Sequence, residues 1–152
     1  MNRYLRHVER GLAALVLAAT LAACATQSGN VVLLPEKDGR DAAVTVRQGE
    51  RTLVLGWGST YGPINAACQI TRRAGSPVAQ AHLRHLNPFP ANTAEVLRRY
   101  DKVVIPEMNL GQLALLIRGR FLVDAIPYNQ VRGLPFRAEE LAGVIKDVVA
   151  SV

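Results

Sequence analysis

Apolar residues fall into short runs along the chain from residue 52 onward, and each run has the length of a buried strand. The runs occupy residues 52–55, 78–82, 103–105 and 122–128. Polar residues, glycine and proline separate each run from a segment in which apolar residues recur at helical spacing. Strands that alternate with helices predict a parallel sheet joined by right-handed crossovers, which is an α/β fold.

Four helices are predicted to follow these strands. The first begins near Ile64 and ends near Gly75, a residue type that commonly closes helices. The last begins near Arg137 and carries apolar residues at positions i, i+3, i+4 and i+7. These residues are Leu141, Val144, Ile145 and Val148. We therefore expect a small parallel sheet of about four strands, nearly all apolar because helices cover both of its faces.

The two middle helices begin with the spacing of a capping box, in which two side chains three positions apart satisfy backbone N–H groups. Asn92 stands three residues before Glu95, and this helix is expected to continue to Tyr100. Asn109 stands three residues before Gln112 at the start of the next helix. The face of that helix expected to be buried consists of Leu110, Leu113 and Leu116.

The first 23 residues have the pattern of an export leader. Arg3, Arg6 and Arg10 precede an apolar run over residues 11–23, which is too short to span a hydrocarbon core of about 30 Å. Cys24 follows at once, and residues 21–24 resemble a bacterial lipobox, which implies lipid attachment at Cys24. A plain signal peptide, or a buried helix with an incidental cysteine, is the alternative interpretation.

Residues 24–51 form a polar tether and a short β-prone segment. Apolar runs at 31–34 and 43–46 flank a turn that contains Asp38 and Gly39, and this pattern predicts a hairpin. The segment resembles the beginning of some envelope lipoproteins that carry a peptidoglycan-binding domain further on, although no such domain follows here. The third unit, residues 52–152, holds the predicted α/β domain.

The net charge of +6 would suit nucleic acid or anionic lipid, but its distribution favours a simpler explanation. Many of the basic residues fall in or just after the last turn of a predicted helix, where positive charge complements the helix dipole. These are Arg72, Arg73, Arg98, Arg99, Arg118 and Arg120. The aromatic residues (5% of the chain) do not interleave with the arginines, so we expect no nucleic-acid binding.

Ligands of parallel α/β sheets gather at the carboxyl ends of the strands, which makes the loops there the candidate functional surface. The glycine-rich segment 56–62 opens a helix and could hold a phosphate, although it is neither a Rossmann fingerprint nor a Walker loop. A tight strand-to-helix turn is the simpler interpretation. A small nucleotide-binding enzyme that uses this turn is the alternative kept open.

Other chemistry-bearing residues near these strand ends form no recognisable set. His82 and His85 lack a third ligand for zinc, and Cys68 is expected to be a small buried residue. Glu107 could be a general base, but a lone carboxylate beside a helix start is more often a dipole partner or an interface contact. The sequence therefore assigns no catalytic, cofactor-binding or metal-binding residue.

Four segments carry a resemblance to a known family. Residues 53–62 (LVLGWGSTYG), 79–90 (AQAHLRHLNPFP), 104–113 (VIPEMNLGQL) and 133–136 (GLPF) look like the C-terminal domain of the α subunit of 2-oxoglutarate (2-oxoacid):ferredoxin oxidoreductase. The resemblance covers residues 52–152 with the motifs in family order. It implies an α/β domain similar to the C-terminal domain of transketolase.

The resemblance also implies a role within a larger complex. The parent enzyme decarboxylates a 2-oxoacid oxidatively to an acyl-CoA with thiamine diphosphate and iron–sulfur clusters, and its partners are a β subunit and ferredoxin. The present chain is expected to bind neither cofactor and to be inactive alone. Its strand-end loops are interface candidates: Trp57, Ser59, Thr60, His82, Arg84, His85, Asn87, Glu107 and Asn109.

The two parts of the chain predict different locations. The oxidoreductase domain implies the cytoplasm, whereas a functional leader would anchor the protein to a membrane through Cys24. The alternative function is therefore an envelope lipoprotein that uses the α/β domain as a binding or assembly module. The parent subunit would also have several hundred residues before Thr52, in place of the leader and tether found here.

Overall fold

The computed structural model describes residues 31–33 and 50–151 of the chain, and the statements below concern those residues. These residues contain five strands and four α-helices, and strands and helices alternate from Thr52 onward. In chain order they are β1 (Val31–Leu33), β2 (Thr52–Trp57), α1 (Tyr61–Arg73), β3 (Ala79–Leu83), α2 (Thr93–Leu97), β4 (Lys102–Glu107), α3 (Gln112–Phe121), β5 (Ala125–Asn129) and α4 (Ala138–Ala150). A 3-10 turn, Gly58–Thr60, joins β2 to α1.

The strands form one parallel sheet in the order β1-β3-β2-β4-β5, which confirms the predicted α/β class. The four strands from β2 to β5 are those expected from the apolar runs. The fifth strand, β1, pairs with β3 in the register Val31↔Gln80 and was not assigned to the domain from sequence. The leader, Cys24 and the second half of the expected hairpin lie outside the described residues, so those predictions stay predictions.

Helices cover both faces of the sheet, and each face has its own core. On one face Leu53, Leu55 and Ile105 pack against residues of α2 and α3. On the other face Val54 and Val104 pack against α1 and α4. Because the two central strands, β2 and β4, contribute to both cores, successive residues in their middle are apolar and appear as short apolar runs in the sequence.

The last helix and the cysteine agree with the predictions from sequence. Leu141 and Ile145 are fully buried against the sheet, and Val148 is partly buried beside them. Cys68 is also fully buried, and this burial raises the pKa of its thiol to about 12. The thiol is therefore protonated at neutral pH and packs as a small apolar group.

The boundaries of two strands differ from the expected ones. β4 continues through Pro106, although the run was expected to end at residue 105. Gln130 donates its backbone N–H to the carbonyl of Glu107 (2.9 Å), so Pro106 faces β2, and the β2–β4 pairing ends at Val104. The missing N–H therefore costs no ladder hydrogen bond. β5 begins only at Ala125, because Leu122 adopts a left-handed conformation (φ 55°) that closes α3.

The second helix is shorter than predicted and lacks the expected capping box. α2 ends at Leu97 rather than Tyr100, and the chain continues in turns over the next three residues. Asn92 is at the N-cap position, but its side chain makes no capping hydrogen bond. Instead Thr93 donates its hydroxyl to the carbonyl of Pro90 (2.6 Å). A local hydroxyl therefore stabilises the helix start, and the Asn–Glu spacing does not.

Candidate functional site

The carboxyl ends of the strands lie at one edge of the sheet because all five strands are parallel. Trp57 at the end of β2 is in register with Leu83 at the end of β3, and Glu107 at the end of β4 is in register with Asn129 at the end of β5. The loops that follow these strands contain the interface candidates inferred from sequence. The topology therefore places the candidates along the same edge, as expected for a parallel sheet.

The turn after β2 is closed by hydrogen bonds within the turn itself. Thr60 donates its hydroxyl to the carbonyl of Trp57 (2.7 Å), and the same oxygen accepts the backbone N–H of Trp57 (3.2 Å). Gly58 has a φ of +58°, a backbone conformation that residues other than glycine rarely adopt. The glycine-rich segment is thus a tight strand-to-helix turn, which was the simpler of the two interpretations of its sequence.

A small cleft opens between this turn and the end of β4. Its volume is about 250 Å³, and it brings together candidates from two loops that are far apart in sequence. The lining residues are Trp57, Gly58, Ser59, Thr60, Met108 and Asn109. Trp57 and Met108 contribute apolar surface to this lining, and Ser59, Thr60 and Asn109 contribute polar groups. The cleft therefore provides a shaped recess at the sheet edge, with Ser59 exposed at its rim.

Glu107 is fully buried, and both of its carboxylate oxygens accept hydrogen bonds. Its Oε1 accepts the backbone N–H of Leu113 (2.8 Å), and its Oε2 accepts that of Ala114 (3.0 Å). These are N–H groups of the first turn of α3, which have no partner within the helix. Glu107 is therefore the helix-dipole partner favoured from sequence. Because Glu107 is 0% exposed, it can reach neither a bound substrate as a general base nor a partner as an interface contact.

Asn109 also acts at the start of α3, but not as the N-cap residue of a capping box. Its Oδ1 accepts the N–H of Gly111 (2.8 Å) and, more weakly, that of Gln112 (3.3 Å). Gly111 is the residue at the N-cap position, with a φ of +92°. Glu107 and Asn109 together therefore satisfy the helix start: the expected bond from the Gln112 N–H to Asn109 is present, but Gly111, and not Asn109, is the N-cap residue.

His82 lies on β3 beneath α1 and is separate from the small cleft. It is 7% exposed, its ring meets that of Tyr61 edge-on with centroids 5.3 Å apart, and its Nδ1 has no hydrogen-bond partner. Burial lowers the pKa of His82, an effect that a hydrogen bond to the backbone of Gly58 opposes and the charge of Arg84 reinforces. The imidazole is therefore neutral in the folded protein at neutral pH.

This environment predicts a dependence of stability on pH. Because the folded state holds the pKa of His82 below its value in the unfolded chain, the unfolded state binds the additional proton first as the pH falls. The contribution of His82 to the free energy of unfolding should therefore be complete above about pH 6.5 and should decline below it. Denaturant titrations of the wild type and His82→Gln between pH 7.5 and 5 measure this. Relative to the variant, the wild type should lose more stability as the pH falls.

The difference in stability between the two proteins at each pH isolates the contribution of His82, because all other titrating groups are common to both. A wild type and His82→Gln variant whose stabilities decline in parallel from pH 7.5 to 5 would contradict the assignment.

The remaining candidates differ in how much of each is exposed to solvent. Ser59, Arg84, His85 and Asn87 are exposed, whereas Trp57 and Asn109 are half-buried. Thr60 is almost completely buried and serves the turn. A partner that approached this edge would therefore meet the loop after β3 and the rim of the small cleft, and it would not contact Thr60, His82 or Glu107 directly.

A second, larger groove lies between α3 and β5, where the sequence predicted no site. Its volume is about 420 Å³, and Leu110, Leu115 and Pro127 provide its apolar walls. Of the three leucines expected to be buried in or beside α3, Leu113 is buried, whereas Leu110 is 81% exposed and Leu116 is 48% exposed. The residues that face the core are Leu113, Ala114 and Ile117. The large number of leucines in this helix was the signal that could have revealed a second apolar face.

Two further properties limit the chemistry available within residues 31–33 and 50–151. No group of three or more His, Cys, Asp or Glu side chains gathers there as a metal ion would require. None of the helices described is both long enough and apolar enough to cross a bilayer.

Comparison with known proteins shows similarity to subunits of 2-oxoacid oxidoreductases. The chain is 57% identical over 98 residues to the 2-oxoglutarate oxidoreductase subunit KorA of Mycobacterium tuberculosis, covering 64% of the chain and 15% of that protein. It is 33% identical over 99 residues to the α subunit of 2-oxoacid:ferredoxin oxidoreductase 2 of Aeropyrum pernix, again covering 15% of the relative. No family model matches the chain.

A solved structure supports the same relationship. A 2-oxoglutarate:ferredoxin oxidoreductase from Magnetococcus marinus, with 2-oxoglutarate, coenzyme A and succinyl-CoA bound, superposes with a TM-score of 0.64 and 31% identity. The match covers 68% of the present chain and 18% of that chain. The C-terminal region of the chain is therefore homologous to 2-oxoglutarate:ferredoxin oxidoreductase α subunits, and the chain spans about one sixth of their length.

Proposed function

We propose that residues 52–152 supply the C-terminal domain of the α subunit in a 2-oxoacid:ferredoxin oxidoreductase that converts 2-oxoglutarate to an acyl-CoA. The observation that carries the proposal is the 57% identity over 98 residues to a protein named as a 2-oxoglutarate oxidoreductase subunit. The more general 2-oxoacid enzymes are 33% and 39% identical over their matched regions. This difference favours 2-oxoglutarate as the substrate of the complex.

The described side chains support a role in shape and assembly, without turnover by the isolated chain. Glu107 binds two backbone N–H groups, and the hydroxyl of Thr60 is used within its own turn. His82 is buried and neutral beneath α1. None of these three groups is placed to move a proton of a bound substrate. The domain would therefore contribute surface next to an active site formed elsewhere in the complex.

The described residues do not fit the cofactors of the parent complex. Thiamine diphosphate is commonly held through a divalent cation with carboxylate ligands, and no group of three or more His, Cys, Asp or Glu side chains gathers among residues 31–33 and 50–151. Iron–sulfur clusters need several thiolates, and Cys68, the single cysteine in this part of the chain, is buried and protonated. We therefore place both cofactors in the partner polypeptides: the β subunit and the rest of an α subunit.

A chimera tests the proposal directly. In the α subunit of the Mycobacterium tuberculosis relative, the homologous region is replaced by residues 52–152, and the chimera is co-expressed with the partner subunits of that enzyme. We expect reduction of ferredoxin or a viologen dye that depends on 2-oxoglutarate and coenzyme A, within about tenfold of the parent rate, because a correctly shaped surface is all that the region supplies.

Two controls accompany the chimera. The same α subunit without any C-terminal region should be inactive, and the full 152-residue chain alone should reduce no dye. A chimera that folds and assembles but does not turn over would contradict the proposed function, and so would turnover by the isolated chain.

We further propose that the N-terminal leader, if processed, anchors the protein in the cell envelope through Cys24. The three arginines near the start, the apolar run 11–23 and the lipobox-like segment ending at Cys24 support this localisation, whereas the resemblance of residues 52–152 favours the cytoplasm. In this second candidate function the α/β domain is a binding or assembly module of a lipoprotein. Labelling cells with palmitate should mark the wild-type chain and leave Cys24→Ser unlabelled, whereas an unlabelled wild type would reject the anchor.

A further inference from the structure

The solvent-facing side of α3 is apolar at its centre. Among the described residues, four of the exposed large apolar side chains belong to α3 or flank it: Leu110 (81% exposed), Leu115 (73%), Leu116 (48%) and Leu122 (88%). The opposite side of the helix packs into the core through Leu113, Ala114 and Ile117. A helix with apolar residues on both sides is typical of an element covered on both sides.

The helical residues on this side follow a spacing of their own. Leu115 and Gly119 are four positions apart and lie along one line opposite the core-facing residues, and Leu122 follows directly after the helix. Gly119 has no neighbour within 4 Å of the position that a Cβ would occupy, so the surface there is open. A glycine between two leucines leaves a shallow depression into which a side chain of a partner can fit.

The groove between α3 and β5 extends this surface. Leu110, Leu115 and Pro127 line it, and Arg118 and Asn129 provide polar groups. β5 is the last strand of the described sheet order, and Pro127 lies within it. A proline in an edge strand hinders the addition of a further strand. A partner would therefore dock through side chains in the groove rather than by extending the sheet.

The charge of this surface disfavours a second copy of the chain as its occupant. Residues 110–122 contain Arg118 and Arg120 and no acidic residue. Arg118 pairs with Asp124 at 3.4 Å, and the Asp124 side chain is 96% exposed, so this ion pair is weak. The Arg120 guanidinium lies over the ring of Phe89, so Arg118 is the charged group in the groove, and two copies packed through α3 would bring two Arg118 side chains together. The charge instead fits a different polypeptide that presents carboxylates around an apolar centre.

The length of the relatives indicates the source of that polypeptide. The region homologous to this chain makes up 15% to 18% of each matched α subunit, so most of the relative's chain lies outside it. Monomeric proteins seldom expose contiguous leucines on this scale, whereas obligate interfaces have apolar centres. The remainder of such a subunit is a partner of sufficient size to cover α3.

We infer that the α3 surface, defined as Leu110, Leu115, Leu116, Arg118 and Leu122, is where the domain docks onto the remainder of an α subunit. The docking partner presents apolar side chains to the leucines and a carboxylate to Arg118. This inference rests on the proposed function and specifies the contact surface. It differs from the interface candidates inferred from sequence, which lie in the strand-end loops.

The test uses the full 152-residue chain. It is co-expressed with the Mycobacterium tuberculosis α subunit that lacks its homologous region, together with the partner subunits of that enzyme. Complex formation is measured by co-purification and affinity, and amide hydrogen exchange compares the free chain with the complex. We expect protection of residues 112–121 to rise about tenfold or more on binding, and Leu115→Glu to weaken the affinity by at least about tenfold.

Leu134→Glu is the matched control, because Leu134 is 69% exposed and lies outside α3. It should change the affinity by less than about twofold, and thermal melts should show that both variants fold. Equal effects of the two variants, or absence of a complex, would overturn the inference. Protection confined to residues 57–60 and 84–87 would overturn the α3 surface yet agree with the proposed function, which the activity of the chimera tests separately.

Discussion

Replacing Glu107 with leucine is expected to lower the free energy of unfolding by about 4 kcal/mol, the largest effect we expect from a single substitution in this domain. The carboxylate accepts hydrogen bonds from the N–H groups of Leu113 and Ala114, and its side chain is fully buried. Leucine would leave both N–H groups buried without a partner, at about 1–3 kcal/mol each. Denaturant unfolding followed by circular dichroism measures the loss.

A more conservative variant separates hydrogen bonding from charge. Glu107→Gln keeps one acceptor oxygen and turns the other position into a donor facing a donor, so we expect a loss of about 2 kcal/mol. Glu139→Gln is the control, since Glu139 also lies in the first turn of a helix but is exposed, and its loss should stay below about 1 kcal/mol. Equal losses in the two glutamine variants would show that burial of Glu107 has no special importance.

Gly56→Val is expected to cost about 3 kcal/mol, the second large effect. A Cβ at this position would lie 2.6 Å from Ile64 Cδ1, 3.1 Å from Thr60 Oγ1 and 3.2 Å from His82 Nδ1. Three elements therefore meet at this glycine: the turn, α1 and β3. A branched side chain would force them apart, and overpacking of this kind typically costs 1–3 kcal/mol. Thermal and denaturant unfolding of the variant report the cost.

A double-mutant cycle identifies the contact responsible. Gly56→Ala should cost about 2 kcal/mol on its own, and combining it with Ile64→Val, which removes Cδ1, should recover about 1 kcal/mol of that cost. Gly62→Ala is the control of opposite sign, because Gly62 lies in α1 and no neighbouring atom comes within 4 Å of where its Cβ would stand. It should leave stability unchanged or raise it by up to about 1 kcal/mol. Strict additivity of the two substitutions would contradict the proposed contact.

The order of strands and helices was accessible from sequence because burial leaves a periodic record. Residues 53–55 of β2 and 103–105 of β4 alternate between the two cores, so successive positions there are apolar and appear as short runs. Leu141 and Ile145 of α4 recur at helical spacing because one side of that helix packs against the sheet. The strand-end edge followed from the parallel order alone.

The ends of elements were less accessible because they depend on single contacts. The start of α3 depends on Glu107, whose side chain is adjacent in space to N–H groups six and seven residues further along the chain. The left-handed conformation of Leu122 delays the start of β5, and no residue preference predicts it, since leucine seldom adopts it. The strand β1 pairs with β3 across nearly fifty residues of chain, which a local pattern does not reveal.

Which side of α3 is buried could not be predicted from the sequence either. Leu110, Leu113 and Leu116 have a regular spacing, and so do Leu113 and Ile117, which lie four residues apart. Local periodicity cannot select between two apolar sides of one helix. Glu107, anchored to β4, binds the first turn and sets the rotation of the helix about its axis. That contact turns Ile117 toward the core and leaves Leu110 and Leu116 at the surface.

The amino-acid sequence by itself therefore determined the α/β class, the parallel sheet and the family that residues 52–152 resemble, because hydrophobic periodicity and motif order are properties of the linear chain. Only the tertiary structure decided which polar residues are structural and which apolar residues face solvent. Hydrogen bonds between distant residues, such as those of Glu107 to α3, establish these assignments. Their energies depend on burial, and burial exists only once the sheet and helices have packed together.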